Sequence, residues 1–221
     1  MSCTREEFVN EAKKYIGFNQ YNKTHEQIVE AYNKLIPLPR DYRLQYYEYW
    51  GCAFISFISN KCKALDIIPI ECSIGKQIVA FSKLSTYYSN YDLKPQIGHI
   101  VFFTYYNINS GDCSLYPDHI GIVSQLNKHT FTVITVHDGF VMELNLAYCA
   151  AYITGFACPE YSISTSLNKS ENVYPADDEL IHLVLSGAYG PINSSLMISR
   201  LKSLSCDTTW VLRKLGELGV S

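Results

Sequence analysis

The chain has 221 residues, a formal net charge of -3, 48% hydrophobic residues and 18% charged ones. That balance is the composition of a globular chain with a core of its own, and the absence of a basic stripe argues against nucleic acid as a partner. The polar start Met1 to Glu7 is followed by no apolar stretch long enough for a signal peptide or a membrane span, so no membrane insertion is expected. The protein is expected to be made in the cytoplasm, with any export left to other machinery.

In chain order, Thr4 and Glu7 form a capping box, with Phe8, Ala12, Tyr15 and Ile16 at helical spacing until Gly17. Thr24 to Gln27 reads as a second box, opening a helix whose apolar face is Ile28, Ala31, Tyr32 and Leu35. His25 falls in its first turn, where it is expected at the surface. An aromatic-rich loop runs from Pro37 to Tyr49. A third helix is expected from about Cys52 to Leu65, apolar almost all round and therefore buried, and a fourth from Ser73 to Leu84.

After Pro95 the period changes. His99 to Tyr105, His119 to Val123, Thr130 to Val136, Val141 to Leu146 and Tyr152 to Phe156 read as strands, with Gln125 to Lys128 as a turn. Helices first and adjacent strands later predict an α+β fold with an antiparallel sheet. Residues 159–176 are Ser- and Asn-rich without periodicity and read as a linker. Residues 177–221 read as a small helical unit, with about the fewest residues that make a core.

The eight cysteines, Cys3, Cys52, Cys62, Cys72, Cys113, Cys149, Cys158 and Cys206, show no Cys-x-x-Cys pair and no regular framework. They read as mostly reduced and structural, with disulfides open to the chain only in an oxidising compartment. No His/Cys/Asp cluster has metal-ligand spacing and no glycine-rich phosphate loop occurs, so neither a metal nor any other cofactor is expected. Chemistry, if present, rests on Cys52. A thiol nucleophile needs a lowered pKa, a base in reach and a group that orients the base. A helix start supplies the first. His119, at the start of one expected strand, and His137, at the end of the next, sit side by side in an antiparallel hairpin and supply the other two. Each residue also has a plainer reading: Cys52 as packing, His119 and His137 as polar turn residues. His99, His129 and His182 read as structural or exposed.

Taken together, "TREEFVNEAKKYIG", "YWGCAFIS", "DIIPIECSIGK", "PDHIGIV" and "YITGFACPEY" resemble, in order, the CHAP group of peptidoglycan amidase-endopeptidases. These are relatives of the NlpC-type cysteine peptidases found in many phage lysins. The resemblance runs from about Thr4 to Tyr161, sets a catalytic-type domain at residues 1–158 and implies a papain-like arrangement of N-terminal helices on an antiparallel sheet. It also implies an endolysin-like hydrolase that acts at the bacterial cell wall after release. Cys52 would attack an amide of peptidoglycan, His119 would be the base and His137 would orient it. Residues 177–221, with the Gly187 to Gly190 turn, resemble a short three-helix wall-binding repeat.

The family motif reads Trp-Cys-x-x-Phe-Val-Ser, and a gapless match puts Gly51 at the nucleophile's position with Cys52 one residue late. One step on a helix is about 100° of rotation and 1.5 Å of rise. Two outcomes follow: either the helix begins one residue later and Cys52 swings to the imidazole, or the nucleophile is lost and the domain binds wall without cutting it.

Overall fold

The computed structural model describes residues 3–89, 93–105, 116–148, 150 and 152–162. The helical unit expected at 177–221 and most of the linker before it lie outside the described residues. The described residues form an α+β fold. Helices α1 (Arg5–Lys13), α2 (Glu26–Asn33), α3 (Gly51–Lys61) and α4 (Ile74–Lys83) precede strands β1 (Tyr87–Ser89), β2 (Ile100–Phe103), β3 (His119–Leu126), β4 (Thr130–His137), β5 (Phe140–Ala147) and β6 (Ile153–Ala157). The sheet order is β1-β6-β2-β3-β4-β5, and every neighbouring pair is antiparallel. No helix among the described residues is long and apolar enough to cross a membrane.

Helix α1 starts on the expected capping box: the Thr4 side chain accepts from the Glu7 backbone N–H, and the Glu7 carboxylate accepts from the Thr4 N–H. The second expected box does not form. Thr24 Oγ1 instead accepts from the Asn19 N–H at 2.8 Å and bonds the Asn22 side chain at 2.6 Å, so the hydroxyl closes the preceding turn and caps nothing. His25 is likewise not at the surface. It is 3% exposed, its Nε2 lies 3.0 Å from the Tyr46 carbonyl, and its ring packs on Trp50. The aromatic loop, which periodicity could not place, folds back over α2 and covers it.

Two apolar clusters sandwich the sheet, and strand alternation decides which residue joins which. Ile100, Phe102, Ile120, Ile122, Ile134 and Val136 share the helix-side cluster with Phe54, Ile55, Ile58 and Cys52. Val101, Phe103, Val123, Phe131 and Val133 form the cluster on the other face. Helix α3 is buried from Gly51 through Ser59, in accord with its all-round apolar sequence. Its few polar groups are matched. Ser56 Oγ donates to the Glu71 carbonyl and accepts from the Glu71 N–H, both at 2.9 Å, and Ser59 Oγ donates to the Ile68 carbonyl at 3.1 Å. These bonds clamp the segment 68–72 along one face of α3. The strand β1, which the sequence reading omitted, pairs with β6 through Tyr87↔Ala157 and neighbouring positions.

The Ser56→Ala substitution strands the Glu71 N–H without its partner in the interior. The expected cost is about 1–3 kcal/mol, read as a lower urea midpoint with an unchanged denaturant slope.

Candidate functional site

The β3–β4 register Gly121↔Thr135, continued to the strand ends, brings His119 and His137 side by side. The expected pairing is present: His119 Nε2 and His137 Nδ1 are 3.1 Å apart. The chain of contacts extends at both ends. His119 Nδ1 lies 2.7 Å from Asp118 Oδ1, and His137 Nε2 lies 3.4 Å from Asp138 Oδ2. Asp118 Oδ1 also accepts from the Tyr105 N–H at 2.7 Å, which fixes the carboxylate. The hydrogen-bond pattern assigns the tautomers: His119 donates from Nδ1 to Asp118, and its Nε2 accepts from the Nδ1–H of His137. Rings of Phe103, Tyr49 and Tyr105 surround His119 at centroid distances of 5.4, 5.6 and 5.5 Å. Burial pulls the His119 pKa below its ordinary value, against the opposing pull of Asp118.

Helix α3 begins at Gly51, not one residue later, with Trp50 as its N-cap. Cys52 therefore does not swing. It is fully buried, in the helix-side cluster. Cys52, Ser56 and Ser59 follow the i, i+4, i+7 spacing of one helix face, and that face is bonded to the segment 68–72. Burial first, then the charges of Cys72 and Glu71, push the Cys52 pKa well up, the reverse of what a thiolate nucleophile requires. His119 and His137 occupy the alternate strand positions, in step with Phe103 and Val133 of the other face. The structure thus brings the two histidines together, while Cys52 lies buried in the helix-side cluster.

The space beside Gly51 is filled by Tyr49. A Cβ built on Gly51 would lie 2.3 Å from Tyr49 Oη and 2.5 Å from Cζ. The phenol reaches past the glycine to the end of the hairpin. Tyr49 Oη accepts from the Ile120 N–H and donates to the Val136 carbonyl, both at 3.4 Å. It bridges the two strands just where the direct pairing of β3 with β4 stops. Burial holds the phenol above its ordinary pKa, so it stays protonated and keeps that donor. Both nitrogens of His119 are taken by its neighbours. A general base, by contrast, needs one nitrogen aimed at the proton it removes.

A cleft of about 420 Å³ opens beside this end of the sheet, lined by Gln20, Tyr21, Tyr47, Glu48, Tyr49, Trp50, Val136, Asp138 and Gly139. Tyr47 and Tyr21 are largely exposed there, at 85% and 69%. On the far side of Tyr49 a second cleft of about 450 Å³ is lined by Arg40, Tyr42, Cys72 and the start of α4. No group of three or more His, Cys, Asp or Glu among the described residues could hold a metal ion.

Sequence reasoning missed Tyr49, Asp118 and Tyr105. The neighbour Asp118 was in plain view beside His119. Tyr49 had one signal, a glycine two residues on, at the position where a ring would otherwise collide. His99, read as structural or exposed, is buried at 3% exposure, and its Nδ1 accepts from the Gln96 N–H at 3.2 Å. Comparison with known proteins finds no matching family model, curated protein or solved structure.

Two expectations follow. Gly51→Ala forces the new methyl into the Tyr49 ring and costs about 1–3 kcal/mol. In the Tyr49→Ala background the same change is close to neutral, so a double-mutant cycle by urea unfolding reads a large coupling. The second concerns pH. Burial, then the nearby Arg5 charge, pushes the His99 pKa down from 6.5 to about 3. The unfolded chain therefore takes up a proton near pH 6.5 that the folded chain refuses until much lower pH. Stability is complete above about pH 6.5 and falls on acidification toward about pH 3, by up to about 1.4 kcal/mol per pH unit for this group. His119 adds a fall in the same direction. Urea midpoints measured from about pH 7 down to about pH 5 should decline, and His99→Gln should flatten that decline.

Proposed function

We propose that the chain is a non-cutting relative of the CHAP and NlpC-type wall hydrolases, which binds bacterial peptidoglycan through the groove its catalytic kin would use for cleavage. The observation that carries this reading is Tyr49 filling the space opposite Gly51, where the motif alignment puts the nucleophile. The full burial of Cys52, its raised pKa and the doubly engaged His119 support it. A papain-like arrangement, with α3 packed on β3 and β4, and a helical wall-binding module at 177–221 complete the proposal. In it the histidine pair keeps a structural role, tying the ends of β3 and β4 together beneath the cleft. The cleft beside Asp138 offers exposed tyrosine rings, which suit the apolar faces of sugars and the backbone of a stem peptide.

Purified insoluble peptidoglycan tests it. The full chain should co-sediment with the wall and release neither free amine nor new carboxylate. Tyr47→Ala should weaken sedimentation by roughly fivefold or more while leaving the fold intact. Iodoacetamide at neutral pH should label the part-exposed Cys62 well before Cys52, which should react only on unfolding. Release of wall amine that disappears in Cys52→Ser would overturn the proposal in favour of a thiol hydrolase.

A further inference from the structure

Two further cysteines, Cys3 and Cys62, lie against the first turn of α1. Cys3 immediately precedes the N-cap of α1, and Cys62 is the C-cap of α3. Their side chains converge on the first turn of α1. Cys3 Sγ donates to the Thr4 carbonyl at 3.1 Å, and Cys62 Sγ lies 4.0 Å from the Glu7 carbonyl. Both thiols are free, and each shifts the pKa of the other. Cys3 is buried and Cys62 half-buried, so only Cys62 meets solvent-borne reagents.

We propose that Cys3 and Cys62 form a disulfide-exchange site, which reacts with small-molecule disulfides of the glutathione type and closes a bond between the N-terminal segment and the end of α3. This inference is independent of the wall-binding reading. Cys62 attacks first. The neighbouring Cys3 thiol lowers its pKa, whereas the Cys62 thiol and burial raise that of Cys3. The Cys62 thiolate forms a bond to one sulfur of the reagent. The reagent's S–S bond breaks, and the departing thiolate takes up the proton that Cys62 lost. Cys3 then attacks the Cys62 sulfur of this mixed disulfide. The Cys3–Cys62 bond forms, and the second small thiol leaves with the Cys3 proton. Two protein thiols are oxidised and one small disulfide is reduced to two thiols.

The two residues lie outside regular helix, one before α1 and one at the cap of α3, where the backbone is not bound into a helical ladder on both sides. The bond would fasten three parts at once. Cys3 sits on the segment whose carbonyl accepts from the Ser162 N–H at 3.1 Å, and Thr4 bridges Ser162 in parallel. The start of the described domain and the end of the buried helix would be joined covalently, with the last described residue held to them by its backbone hydrogen bond.

The test uses the full reduced chain, incubated with oxidised glutathione and then digested without reductant for mass spectrometry. The expected product is a peptide pair joined through Cys3 and Cys62, and a rise in Tm on the order of 5–10 °C that reductant reverses. Cys3→Ser, which removes the second nucleophile, should instead accumulate glutathione on Cys62. Cys62→Ser should take up little glutathione at Cys3. A stable glutathione adduct on Cys62 in the unaltered chain, a bond joining either cysteine to another, or no reaction at either sulfur would each overturn the proposal.

Discussion

The contact between the Tyr49 phenol and the bare Cα of Gly51 governs the site. Residue 51 is the first of a helix whose next eight residues are all buried, so the helix cannot rotate to make room. Any side chain at 51 would meet the ring, and any displacement of the ring would free the Ile120 N–H and the Val136 carbonyl that it bridges. Glycine at 51, tyrosine at 49 and the splayed end of the β3–β4 hairpin are one constraint seen from three residues. A catalytic thiol at 51 and this tyrosine cannot share the same space.

The azimuth of Cys52 follows from the same helix start. With residue 51 directed at Tyr49, residue 52 turns about 100° onward, onto the face that Ser56 and Ser59 fasten to the segment 68–72. There the Glu71 carboxylate also accepts from the Cys72 and Ser73 N–H groups and pairs with Arg40. A thiol set near that carboxylate and out of water keeps its proton. The cysteines accordingly divide by surroundings: Cys52 is a small apolar filler, whereas Cys62 borders solvent beside the first turn of α1. Reactivity follows those surroundings and not proximity to a family motif.

The histidines show the opposite case, a feature legible before folding. Two strands joined by a short turn must set the start of one beside the end of the other, and His119 and His137 stood at those ends. Helix α4 and the strands after Pro95 were legible for similar local reasons, through periodicity and turn residues. His25 was not. Its place in a first helical turn says surface, and only the return of the aromatic loop over α2 buries it. Thr24 carried the residues of a capping box, yet its hydroxyl found Asn19 and Asn22 closer at hand. Strand β1 has three residues and no alternation to detect; its partner β6 lies far along the chain, and the pairing alone defines it.

By itself the sequence determined the α+β class, the order of helices and strands, the burial of α3 and the meeting of the two imidazoles, because each depends on spacing within one element or between adjacent ones. It also exposed the one-residue offset of Cys52. Which way that offset was resolved belonged to the tertiary structure. The direction of a side chain at a helix start depends on what the helix packs against, and those partners, Tyr49 across the hairpin end and Glu71 behind the helix, are set by contacts between segments that local pattern does not encode.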